Sequence, residues 1–91
     1  MAIRIKLPTQ LRDAAGNQTE AHVEGGTVGE ALDALYAEHG ELRTRLSDDG
    51  GGLRRFVNVY LGGEDIRFLD GLDTPVSDGD ELTILPAVAG G

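Results

Sequence analysis

Ile3-Arg4-Ile5-Lys6-Leu7 alternates apolar and charged side chains, the period of a strand with one face buried. Pro8 ends it, because proline cannot donate to a ladder. Thr19, Ala21 and Val23 then alternate with Glu20, His22 and Glu24, which predicts a second strand. Residues 10–17, closing on Gly16-Asn17, read as the loop of an N-terminal hairpin. After Gly25-Gly26 the period changes. Val28, Ala31, Leu32, Leu35 and Tyr36 fall at helical spacing and make one apolar stripe. Thr27 and Glu30 stand three apart, as in a capping box: the Thr oxygen reaches forward and the Glu reaches back. The helix is expected to end near Glu38-His39, with Gly40 as its left-handed terminator. Leu42 and Leu46 predict a short helical segment over 41–47.

Residues 56–61 give the strongest strand pattern, two aromatics and three aliphatics before a Gly62-Gly63 turn. Residues 64–68 read as a short return strand. The Ser77-Asp78-Gly79-Asp80 turn leads into a last strand over 81–85, closed by Pro86. The order strand, strand, helix, strand, short strand, strand predicts an α+β fold. It is a mixed sheet of about five strands with one main amphipathic helix on one face, the layout of a β-grasp (ubiquitin-like) fold. The crossover rule places the strand after the helix parallel to an earlier one. One domain is expected over residues 1–91, with 86–91 as a flexible C-terminal tail.

The alternation also assigns faces. Asn58 would cost a few kcal/mol if buried without a partner, so Val57, Val59 and Leu61 are expected on the helix side, with Leu82 and Ile84. The open sheet face then carries Phe56, Tyr60, Leu85 and Pro8, an apolar patch beside the tail that would mark a docking surface.

Composition narrows the function by exclusion. The formal charge of −8 argues against nucleic acid, which needs a basic face, and favours a basic protein partner. No cysteine is present, so thiolate chemistry and zinc–sulfur sites are excluded. The first twenty residues lack a long apolar run, so neither a signal peptide nor a membrane span is expected, and a cytoplasmic location follows by default. His22 and His39 have no neighbouring Ser or Asp that would suggest a triad and read as solvated surface residues. Asp78-Gly79-Asp80 lacks the alternating twelve-residue ligand pattern of a calcium loop and reads as a tight turn. Gly50-Gly51-Gly52 lacks the Lys-Ser/Thr of a phosphate loop and reads as a flexible link. Arg54-Arg55 is a small basic spot, read as a solvated pair.

What remains is the ending, Pro86-Ala87-Val88-Ala89-Gly90-Gly91. Glycine makes up 14 of 91 residues, so a chance Gly-Gly ending arises in roughly one such chain in forty. A Gly-Gly pair is a poor structural element. It is a good handle if the terminal carboxylate is the reactive group.

These features resemble the sulfur carrier proteins of the ThiS/MoaD superfamily: Val57-Asn58, the Asp78-Gly79-Asp80 turn, an apolar last strand and Gly90-Gly91. Within it the chain is similar to the CysO-type carriers of cysteine biosynthesis. That likeness rests on Leu7-Pro8-Thr9 with Leu11-Arg12, on the run Arg55-Phe56-Val57-Asn58-Val59-Tyr60, on Glu64-Asp65-Ile66-Arg67-Phe68, and on Thr83-Ile84-Leu85 continuing into the ending. The resemblance implies a carrier with no catalysis and no bound cofactor of its own. An activating enzyme like those of ubiquitin would use ATP to adenylate Gly91. A sulfur source would then displace AMP and leave a Gly91 thiocarboxylate. Residues Ala87, Val88, Ala89, Gly90 and Gly91 would enter the partner's active site. A pyridoxal-phosphate-dependent cysteine synthase or another sulfur-inserting synthase, including those of secondary (thiosugar-type) metabolism, would take the sulfur. A JAMM-type metalloprotease would regenerate the carrier. Two other roles fit the same features: the small subunit of molybdopterin synthase, and a ubiquitin-like modifier ending in isopeptide bonds.

Overall fold

The computed structural model describes residues 1–48, 52–54 and 57–86. Five strands form one sheet: β1 (Ala2–Lys6), β2 (Glu20–Glu24), β3 (Val57–Leu61), β4 (Glu64–Asp65) and β5 (Glu81–Pro86). Their order is β2-β1-β5-β3-β4. β1 pairs with β2 antiparallel and with β5 parallel, and β3 pairs antiparallel with both β5 and β4. The parallel partner of β1 is therefore β5. The strand that follows the helices, β3, runs antiparallel to β5 and therefore parallel to β2, the strand before the helices, as the crossover rule predicts, with β1 and β5 lying between the two.

Helix α2 (Val28–Glu38) buries the predicted stripe, Val28, Ala31, Leu32, Leu35 and Tyr36, against the inner face of the sheet. The core opposite it is Ile3, Ile5, Ala21, Val23, Val57, Val59, Leu82 and Ile84, with Leu61 partly buried. The face assignments for β3 and β5 hold, whereas Thr19 is exposed and lies before β2. Thr27 caps α2, its hydroxyl accepting from the Glu30 N–H at 3.1 Å. The Glu30 carboxylate accepts from the Gly26 N–H at 2.8 Å, one residue before the cap, so the reciprocal bond is displaced from the usual geometry.

Three local expectations are corrected. The stretch expected as a hairpin loop holds helix α1 (Thr9–Arg12) and a 3₁₀ turn (Asp13–Ala15). Leu11 and Ala15, four apart, are buried from it, and Arg45 ties it down by donating to both Asp13 oxygens at 3.2 and 3.3 Å. That guanidinium holds the Asp13 carboxyl below the usual carboxylate range. Gly40 is not left-handed. The chain breaks at His39 (φ −134°, ψ 80°) and Gly40 opens helix α3 (Gly40–Leu46), which buries Leu42 and Leu46. The return strand covers only Glu64–Asp65 and then becomes a 3₁₀ turn (Ile66–Phe68). Ile66 is buried there and Phe68 is 84% exposed. The Gly62-Gly63 turn joining β3 to β4 has φ of 59° and 93°, the pair of positive values that a tight hairpin of this hand requires.

Candidate functional site

The route to the chain's end is built by β5. Leu82 and Ile84 anchor it in the core, while Thr83 is half-buried and Leu85 is 45% exposed on the open face. The ladder continues through Pro86, whose cross-strand partner is Val57. The sequence expectation had proline closing the strand. The register explains its inclusion. Gly62 N–H donates to Glu81 carbonyl at 3.1 Å, so residues 81, 83 and 85 turn their backbone groups toward β3. Residues 82, 84 and 86 turn theirs the other way. The N–H that Pro86 lacks would point beyond Lys6, the last residue of β1 paired with β5, so no ladder bond is lost.

Ala87, Val88, Ala89, Gly90 and Gly91, the expected working end, lie outside the described residues, as does Phe56 of the expected docking patch. Of the other patch members, Pro8 and Leu85 line one shallow depression with Lys6 and Thr83. Tyr60, half-buried, stands opposite Thr83 in the β3–β5 register, which makes it a diagonal neighbour of Leu85. The open face is more polar than the sequence pattern suggests. Arg4 and Lys6 of β1 both reach Glu81, at 3.4 and 3.8 Å. Lys6 belongs to both regions, so the ion-paired cluster borders the depression that Pro8 and Leu85 line.

Among the described residues no group of three or more His, Cys, Asp or Glu side chains could hold a metal ion, and no helix is long and apolar enough to cross a membrane. The acidic turn before β5 is structural: Asp78 accepts from the Ala2 N–H and Asp80 from the Ser77 N–H, each at 2.7 Å. Arg54 is likewise occupied, donating to the Thr44 carbonyl at 3.2 and 3.0 Å. His22 and His39, distant in sequence, border one depression with Gln18 and Glu38. Only the packing of the α2–α3 junction beside β2 brings them together, so no sequence spacing signals it.

A mixed five-strand sheet in this order, with helices on one face and the last strand leading out of its centre, defines a ubiquitin-like β-grasp protein. The family follows from the sequence: the ThiS family model matches residues 5–91, and the chain belongs to that family. It is 44% identical over 93 residues to the sulfur carrier protein CysO of Mycobacterium tuberculosis, covering 100% of both chains. Its structure superposes on a chain of the Amycolatopsis orientalis BexX/CysO complex with a TM-score of 0.90 and 44% identity, over 98% of this chain and 99% of that one. It is also 40% identical over 88 residues to small archaeal modifier protein 1 of Haloferax volcanii, over 94% of this chain and 97% of that protein.

Proposed function

We propose that this protein is a CysO-type sulfur carrier whose reactive group is the Gly91 carboxylate, and that it catalyses nothing itself. The observation that carries the reading is the full-length likeness to a sulfur carrier, with the family match running to residue 91. A carboxylate is a poor electrophile. An activating partner would use ATP to convert it to an acyl adenylate, releasing pyrophosphate. A sulfide-level nucleophile then attacks the acyl carbon and AMP leaves. The resulting thiocarboxylate keeps sulfur nucleophilic and tethered. No cofactor is bound by the carrier; ATP and the sulfur source belong to the partner.

The length and composition of the tail suit delivery into a narrow site. Beyond the strand, five residues reach about 17 Å at ~3.3–3.6 Å per residue. They are small, apart from Val88, so the thread stays thin. Ordering it costs roughly 1–2 kcal/mol per residue, which docking of the Pro8, Tyr60 and Leu85 end of the open face must offset. Phe56 is assigned to the same docking surface. A pyridoxal-phosphate-dependent cysteine synthase, or another sulfur-inserting synthase, is the proposed acceptor, with a JAMM-type metalloprotease as the trimming partner. Removal of Gly91 tests this: the shortened chain should fold and dock yet release no pyrophosphate when mixed with ATP and the activating enzyme. Normal turnover by the shortened chain would refute it.

One observation favours a second reading. The likeness to an archaeal modifier protein suits a chain whose activated Gly91 is captured by lysine amines. Isopeptide conjugates recovered from cells would support that reading, and a thiocarboxylate without conjugates would support the carrier.

A further inference from the structure

β2 is an edge strand, with β1 on one side and no strand on the other among the described residues. The phase of its ladder is fixed at both ends. Leu7 N–H donates to Thr19 carbonyl at 2.9 Å, and Gly25 N–H donates to Met1 carbonyl at 3.2 Å. With the register Ile5↔Ala21 and Ile3↔Val23, the odd-numbered residues of β2 exchange bonds with β1. Glu20, His22 and Glu24 therefore turn their N–H and C=O groups outward, and their side chains lie on the open face. This is a three-residue template for an added strand.

The surroundings of the template are acidic. Glu20 and Glu24 flank His22, Glu20 lying 3.3 Å from the His22 ring nitrogen and Glu24, still largely exposed, 3.1 Å from the Met1 ammonium, and Glu38 borders the same depression as His22 on the helix side. In α2, Ala34 is one turn before Glu38 and only partly buried, so the flank of the helix along this edge is low. A second copy of the chain is a poor occupant. Antiparallel self-pairing centred on His22 would set Glu20 of each copy opposite Glu24 of the other, and like charges directly opposed are destabilising.

We infer that the outer edge of β2 is a docking site for an extended basic segment of a partner protein, added as a sixth strand. Its residues opposite Glu20 and Glu24 would be Lys or Arg, and those opposite Ala21 and Val23 small or β-branched, lying over the Ala34 flank. The site shares no residue with the C-terminal tail and does not depend on the carrier chemistry.

The test uses the full chain, a capped Lys-Val-Thr-Val-Lys peptide and its Glu-Val-Thr-Val-Glu counterpart. With the basic peptide at saturation, amide hydrogen exchange at Glu20, His22 and Glu24 is expected to slow at least tenfold, with no slowing from the acidic peptide. His22→Pro removes one outward N–H and no ladder bond, so it should fold and lose the effect. The double variant Glu20→Lys with Glu24→Lys should lose it as well and leaves the backbone intact, which covers the case of a misfolded proline variant. No protection at these amides overturns the inference. So does protection confined to Lys6, Thr83 and Leu85, or equal protection by both peptides, or protection that rises with protein concentration in the absence of peptide.

Discussion

Pro86 stands directly opposite Val57 across the antiparallel β3–β5 ladder. Val57 is also held from its other side, its carbonyl accepting from the Arg67 guanidinium at 2.9 Å. The sheet therefore supports the chain up to the last residue before the Ala-Val-Ala-Gly-Gly run. On the proposed reading this gives the carrier a fixed exit whose position a partner can read.

The open face should separate binding from stability. Leu85 is exposed, so Leu85→Asp is expected to leave thermal unfolding nearly unchanged, within the ~0.5 kcal/mol usual for surface substitutions. The same change should weaken docking of the activating enzyme by about tenfold or more, since loss of one apolar contact in a desolvated interface is worth ~1–2 kcal/mol. Steady-state loading, with KM read separately from kcat, checks it: the effect should fall on KM.

Helix α2 depends on its cap. Thr27→Ala removes the acceptor of the Glu30 N–H and should cost about 1 kcal/mol, read from the denaturation midpoint at constant m-value. Leu35→Ala, at the centre of the buried stripe, should cost about 2–5 kcal/mol. Equal effects of the two substitutions would contradict the packing described for α2.

The alkaline limb should report Tyr36. Burial, with the negative charge of Asp33 adding to it and Arg43 opposing, pushes its hydroxyl up to about 12. Its folded pKa lies above the unfolded value near 10. The contribution is thus fully present below pH 10 and is lost as pH rises through the range from 10 to about 12. Tyrosinate absorbance should show a late phase that Tyr36→Phe abolishes, and unfolding should grow steeper with pH in the same window.

Much of this architecture is legible from periodicity, because the face-setting residues obey simple spacing. Val28 through Tyr36 repeat at the helical period, Ile3 and Ile5 alternate with Arg4 and Lys6, and Leu82 and Ile84 alternate with Thr83 and Leu85. Where several weak signals compete, the sequence is harder to read. Thr9–Arg12 follows a proline and precedes a Gly-Asn turn, so turn chemistry masks a helix whose only apolar mark is the Leu11 and Ala15 pair. Gly40 looks like a stop signal but begins α3, because the break at His39 already redirects the chain. Pro86 looks like a strand terminator but sits where the ladder needs no donor. Strand order and the meeting of His22 with His39 are tertiary facts with no local trace. The proposed working end is legible only as a motif, Gly90-Gly91 following a β-grasp body, and it lies outside the described residues.

The account turns on that carboxylate. The direct measurement is the intact mass of the protein after incubation with ATP, its activating enzyme and a sulfur source, followed by fragmentation to place any change. The expected result is a gain equal to the difference between sulfur and oxygen, confined to Gly91, and absent when ATP is withheld. An unchanged mass on a chain with Gly91 intact, under conditions where the activating enzyme releases pyrophosphate with another carrier, would contradict it.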